Sequence, residues 1–187
     1  MLYTLLFDSE ELACVAKDKI SRAALRLSMR YAFGTEPEEI IYNECGKPRF
    51  ATGGVEFSIS HSDRLVAITL SDDAREVGVD IEKKRDIRHA EKIEDRLLLA
   101  LDSPTDEEGE GEIIFLGADG EKRDIRLTRA KKMDFFERWT LLESLLKCEG
   151  GGFRSVGDAR ELLKSRRVNL YNVEYRGEEY ALAVAQG

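Results

Sequence analysis

Apolar and polar positions along this chain recur with two periods, one near two residues and one near three and a half. Leu2-Tyr3-Thr4-Leu5-Leu6-Phe7 is an apolar run that stops at Asp8. With no basic segment before it, this reads as a first strand rather than a signal peptide. From Ser9 a helical period is predicted to run to Phe33 and stop at Gly34, with Ser9 as cap and Asp8, Glu10 and Glu11 at its positive end. Ile40-Ile41-Tyr42 reads as a short strand. Phe57 to Ser62 alternates hydrophobic and hydroxyl side chains, and after a turn Leu65 to Leu70 forms its partner. Gly78-Val79-Asp80-Ile81-Glu82 alternates apolar and acidic. His89 to Leu101 is helical in pattern, and Asp102 to Glu112 is an acidic stretch predicted to be a mobile loop. Ile113 to Leu116, Asp119-Gly120 and Ile125 to Leu127 read as a hairpin. A second helix from about Lys132 to Glu149 carries an apolar face of Phe135, Phe136, Trp139, Leu142, Leu145 and Leu146, and glycines from Gly150 end it. A shorter helix, Val156 to Lys164, precedes two strands, Asn169 to Tyr175 and Tyr180 to Ala185, joined near Arg176-Gly177.

The alternating acidic strand is the first place where pattern becomes chemistry. On a strand, side chains two apart leave the same face, so Asp80 and Glu82 lie about 7 Å apart at Cα. Two anions so close repel unless a cation sits between them, which invites Mg²⁺ or Mn²⁺. An ordinary amphipathic edge strand has the same pattern. Along the first helix Lys19, Arg22, Arg26 and Arg30 form a basic stripe, either a solvated face or an anion site. Gly46 permits a tight turn and Pro48 holds Lys47 extended, which by itself describes a surface loop. Ser60, His61 and Ser62 offer donors suited to phosphate oxygens. They do not form a serine–histidine nucleophile pair, because neighbours on a strand point apart and no glycine elbow surrounds them. Glu143 and Lys147 are four apart, as in a surface ion pair, yet they lie near the core-facing side of their helix.

Composition narrows the class. With 187 residues, 42% hydrophobic and 35% charged, the chain builds one substantial core and is neither disordered nor membrane-spanning. A net charge of −8 argues against bulk nucleic-acid binding. Cys14, Cys45 and Cys148 have no paired spacing, so neither a disulfide framework nor a structural zinc is expected, and a reducing cytoplasm is. His61 and His89 are too few for histidine-rich metal chemistry. The strand–turn–strand units Phe57 to Leu70 and Tyr171 to Ala185 echo one another, as two similarly folded halves would.

Gly46-Lys47-Pro48, Phe57 to Ser62, Gly78 to Glu82, and Phe136 through Trp139-Thr140 to Glu143 and Lys147 together resemble, in order and spacing, the Sfp-type 4'-phosphopantetheinyl transferases. The resemblance implies an α+β fold of two similar α/β halves related by pseudo-twofold symmetry, residues 1–74 and 75–187, with the active site between them. It implies Mg²⁺- or Mn²⁺-dependent transfer of the phosphopantetheine arm of coenzyme A to a serine of an acyl or peptidyl carrier protein, releasing adenosine 3',5'-bisphosphate. Such carriers serve fatty-acid, polyketide or nonribosomal-peptide synthesis, and a monomer with no nucleic-acid or membrane partner is expected. Asp80, Glu82 and Glu143 correspond to metal ligands, with Glu143 also the base for the carrier serine and Lys147 the cation on the diphosphate. Lys47, Pro48, Ser60 and His61 correspond to coenzyme A contacts, and Arg22 and Arg26 to residues near its 3'-phosphate. Residues 150 to about 170 correspond to the part that meets the carrier. Two positions depart from the family. Leu142 stands where lysine usually precedes the helix glutamate, and residues 102–127 replace an aromatic-rich segment. A relative that binds coenzyme A or a carrier without catalysis is the alternative; a Mg²⁺-dependent nucleotide hydrolase explains the carboxylates but not Gly46-Lys47-Pro48.

Overall fold

A computed structural model describes residues 1–16, 19–73, 75–87, 111–130, 133–152, 157 and 159–187. The fold is α+β. Strand β1 (Leu2–Asp8) lies at the centre of a five-stranded sheet ordered β4-β5-β1-β7-β8, antiparallel to β5 (Leu65–Ser71) and parallel to β7 (Glu112–Leu116). The continuous apolar run of β1 follows from that position, because Leu5 and Leu6 are both fully buried on opposite faces. The other strands of this sheet are β4 (Glu56–Ser62) and β8 (Lys122–Arg123). A second sheet is ordered β6-β11-β10-β9, from β6 (Val77–Lys83), β11 (Glu178–Gln186), β10 (Arg167–Tyr175) and β9 (Arg126–Arg129). The ribbon β2 (Ile40–Tyr42) with β3 (Pro48–Phe50) stands apart.

Three apolar clusters stack these parts into layers. Leu25 and Met29 of helix α2 (Ile20–Phe33) pack with Leu5, Phe57 and Ile68 on one face of the first sheet. Leu6 and Ala67 from its other face meet Val79, Ile81, Tyr180 and Leu182 of the second sheet. The outer face of the second sheet is covered by helix α3 (Phe135–Glu149), whose Leu141, Leu142, Leu145 and Leu146 pack on Leu170 and Ala183. Helix α4 (Ala159–Ser165) lies beside it and adds Ala159 to that cluster.

Several local expectations change. The predicted Ser9–Phe33 helix is two, α1 (Ser9–Val15) and α2, because Ala16 is extended with ψ 126°. The cap of α1 is Asp8, which accepts from the Glu10 and Glu11 amides at 2.8 and 3.3 Å, while the Ser9 hydroxyl turns to the Asp63 carbonyl. The α2 stop at Gly34 stands, with φ 68°. Asp119-Gly120 does turn a hairpin, but its returning arm is β8, pairing Phe115 with Arg123. Arg126–Arg129 leaves instead to pair with β10, since Ile125 and Leu127 find apolar cover in the cluster between the sheets. Helix α3 starts at Phe135, where Asp134 and Glu137 form a reciprocal capping box. The helix expected at His89–Leu101 and most of the acidic 102–112 stretch lie outside the described residues, as does the start of the helix expected from Val156. Among the described residues no helix is long and apolar enough to cross a membrane.

Candidate active site

The site begins at a seam between the two sheets. Strands β4 and β6 are edge strands and do not share main-chain hydrogen bonds. The open amides of Val79, Ile81 and Lys83 donate instead to the hydroxyls of Ser58, Ser60 and Ser62, at 3.0, 3.4 and 3.0 Å. Period-two spacing on both strands makes this ladder possible, and it satisfies an edge that would otherwise be bare. Two of these hydroxyls donate onward. Ser60 reaches Asp80 Oδ1 at 2.8 Å, and Ser62 reaches Glu82 Oε2 at 2.8 Å.

Helix α3 lies directly on β6, and Gly78 is the reason. A Cβ at position 78 would collide with the Ser144 carbonyl and the Cys148 amide, and would sit 3.0 Å from Cys148 Cα. The helix is tied at both ends. Lys84, just past β6, pairs with Asp134 at 3.2 Å and with buried Glu137. At the other end the Lys47 ammonium donates to the Cys148 carbonyl at 2.7 Å and the Asn43 amide to the Gly150 carbonyl at 3.1 Å, both favourable at a negative helix terminus. Asn43 also accepts from the Cys45 and Lys47 amides, which with Gly46 at φ 85° shapes the loop.

So held, α3 carries Glu143 and Lys147 over Asp80. Lys147 Nζ is 2.7 Å from Asp80 Oδ1 and 3.1 Å from Ser60 Oγ. Asp80 is 4% exposed, and its Oδ2 is buried without a hydrogen-bond partner. Burial pushes the Asp80 carboxyl above the usual carboxylate range, with Lys147 and Ser60 pulling the other way. Burial raises Glu143 as well, reinforced by the negative charges of Asp80 and Glu82 and opposed by Lys147. Buried Cys148, whose Sγ donates to the Glu76 carbonyl and whose thiol burial pushes up to about 11, is inert here.

A cavity of about 250 Å³ opens between this cluster and the 45–48 loop, walled by Gly46, Lys47, Pro48, Ile59, Glu143 and Lys147. Pro48 and Ile59 also wall a neighbouring cavity of about 150 Å³, which Arg22, Leu25 and Ile40 share with a third of about 420 Å³ bearing Arg26. The three therefore adjoin in one run from Glu143 to Arg26. The basic stripe at its far end is partly neutralised, since Arg30 and Arg26 face Glu36 at 2.5 and 3.6 Å. Among the described residues Lys19 and Arg22 make no ion pair.

Of the residues singled out in the sequence, Lys47, Pro48, Glu143 and Lys147 line one cavity, and Asp80 joins them through Lys147. Ser60 is buried and committed to Asp80 and Lys147, and exposed His61 lines none of the three cavities. Glu82 is engaged by Ser62. Sequence reasoning overlooked Ser58 and Ser62 as ladder rungs, Gly78 as the helix rest and Asn43 as the loop brace. The hydroxyl alternation of β4 was the available signal for the first pair. Among the described residues no three histidine, cysteine or acidic groups converge as a ready-made metal cluster. Asp80, whose Oδ2 has no hydrogen-bond partner, is the carboxylate that could contribute to holding a divalent ion, which takes few carboxylates and completes its shell with phosphates and water.

No family model matches the chain. Over 119 residues it is 33% identical to the 4'-phosphopantetheinyl transferase gsp of Aneurinibacillus migulanus, a match that covers 62% of this chain and 40% of that protein. The matched part is thus well under half the relative's length.

Proposed function

We propose that this protein transfers the 4'-phosphopantetheine arm of coenzyme A to a serine of an acyl or peptidyl carrier protein, with Mg²⁺ or Mn²⁺, releasing adenosine 3',5'-bisphosphate. The observation that carries this reading is the run of adjoining cavities with Glu143, Lys147 and Lys47 at one end and Arg22 and Arg26 at the other. Coenzyme A is an elongated ligand with a diphosphate and a separate 3'-phosphate; Lys47 and Lys147 offer cations to the first, and Arg22 and Arg26, whose cavity Glu38 and Glu39 also line, offer cations to the second. The likeness to a named phosphopantetheinyl transferase supports the same class.

In the reaction the carrier serine oxygen bonds to the phosphorus bearing pantetheine, and the bridging P–O bond breaks toward adenosine bisphosphate. Asp80, with Glu82 and Glu143, would hold the divalent ion, which would supply charge neutralisation for the diphosphate. Glu143 takes the serine proton, a task that its raised proton affinity favours. Lys147, already on the cavity wall, meets the charge that develops on the leaving side. Ser60 and Ser62 hold the Asp80 and Glu82 carboxylates in place, so their part is positioning rather than ligand contact. Residues 150 to about 170 receive the carrier.

A binding-only relative is the second reading, and Leu142 favours it: fully buried, it supplies an apolar contact where the family expects lysine. Incubation with coenzyme A, Mg²⁺ and a panel of apo-carriers, followed by intact-mass measurement, separates the two. The transferase reading expects at least one carrier to gain the phosphopantetheine mass. Binding of coenzyme A with no mass gain on any carrier would establish the binding-only alternative.

A further inference from the structure

Asp80 keeps a cation whether or not a metal is present, and that cation is a side chain of the same site. Lys147 Nζ sits 2.7 Å from Asp80 Oδ1, on a side chain 31% exposed against 5% for the aspartate. The aspartate is therefore fixed, while the lysine reaches it along the open wall of the 250 Å³ cavity. Ser60 helps to hold the ammonium at 3.1 Å, yet the other carboxylate oxygen, Oδ2, is left without a partner. One ammonium also faces more negative charge than it can balance, since Glu143 and Glu82 act on the same region.

From this geometry we infer that Lys147 is a resident counter-ion which a divalent cation must push off Asp80, and which a diphosphate ligand then receives. The inference rests on the transferase reading only for the identity of that ligand. A divalent ion at Oδ2 lies within a few ångströms of Nζ, and like charges at such a distance repel strongly in a site this buried. The lysine stem has the freedom to swing Nζ from the carboxylate into the cavity, where Lys47 and Lys147 share the wall. A diphosphate there accepts the displaced ammonium and also supplies oxygens to the ion. Ion and diphosphate must then strengthen each other's binding, by the same factor in either order. Lys147 is the element through which they are coupled.

The test is Mn²⁺ binding followed by calorimetry and electron paramagnetic resonance, first with no second ligand and then with inorganic pyrophosphate. Lys147→Gln should bind Mn²⁺ alone about tenfold or more tightly than the wild type, because the competing charge is gone. Its gain in Mn²⁺ affinity on adding pyrophosphate should be clearly smaller than the wild type's. Lys147→Arg should stay close to the wild type in both. Unchanged or weaker Mn²⁺ binding by a folded Lys147→Gln overturns the inference. A wild-type measurement needs no variant: acetic anhydride labelling of Lys147, read by peptide mass spectrometry, should rise when Mg²⁺ is added. Labelling indifferent to Mg²⁺ overturns it equally. These readouts involve no carrier, so failure of transfer to every carrier would sink the transferase reading while leaving this inference intact.

Discussion

The two ends of the cavity run are built on opposite principles. At the Asp80 end, two strands and a helix bring a buried aspartate, two half-buried glutamates and a lysine into one neighbourhood, where Ser60 and Lys147 hold Asp80 and Ser62 holds Glu82. At the Arg22–Arg26 end, the charges stand on one exposed helix face, and Glu36 offers a partner that water could replace. Burial makes the first end a question of fold and chemistry together, since desolvated charges interact strongly and unpaired ones are penalised. Exposure makes the second end a matter of modest, screened attraction.

The sharpest way to break the contrast is at Gly78. Gly78→Ala sets a methyl against the α3 backbone, which cannot move aside as a flexible side chain would. A loss of roughly 3 kcal/mol is expected in chemical denaturation, with metal binding lost alongside. Native-like stability would show that the helix can lift from β6 and that the tight end is less rigid than its contacts imply.

Asp80→Asn should spare most of the stability and remove the chemistry. Transfer should fall by about a thousandfold or more, measured by carrier mass. Its effect on stability should depend on pH. Because Asp80 and Glu143 hold protons more tightly folded than unfolded, each costs stability as pH rises through its raised folded value, and the cost is absent below the ordinary carboxylate range. Subtracting the variant's denaturation profile from the wild type's should therefore reveal a wild-type component that declines as pH rises from the acid side toward neutral. A component that grows instead would mean that Asp80 is net stabilised as an anion by Lys147.

At the exposed end the effects should be small. Arg22→Ala should weaken coenzyme A several-fold, more than its 3'-dephospho analogue, and the difference should shrink in high salt. Equal losses for both ligands would move the 3'-phosphate elsewhere. The smallest effect belongs to Arg30→Ala, whose charge is already spoken for by Glu36: coenzyme A affinity should change less than about twofold by calorimetry.

Much of this was legible from periodicity. The strands at Phe57–Ser62, Leu65–Leu70 and Gly78–Glu82, the stop at Gly34 and the helix ending at Gly150 are local patterns, and local patterns survive folding. What was hidden is who meets whom. The serines of β4 read as phosphate donors because nothing in the chain announces that β6 lies beside them without main-chain pairing. Lys47 read as a ligand contact; its ammonium also rests on the end of a helix about a hundred residues away in sequence, which no local pattern announces. The departure of Arg126–Arg129 for β10 came from tertiary competition that neither propensity nor spacing encodes, and no local signal marks the extended Ala16 that parts α1 from α2.

The pairing of β6 with β11 has a consequence for how the protein is made. Asp80 lies opposite Ala183, and Ala183 also faces Leu170, so β11 is the strand that joins β6 to β10. It is the last of the strands in chain order. Contacts separated by about a hundred residues close slowly, because the intervening chain must first be gathered. Until β11 slots in beside it, β6 has the β4 hydroxyls and α3 to pack against but no main-chain partner among the described strands. The acidic residues along β6 then keep that waiting strand from pairing with its copies on other nascent chains.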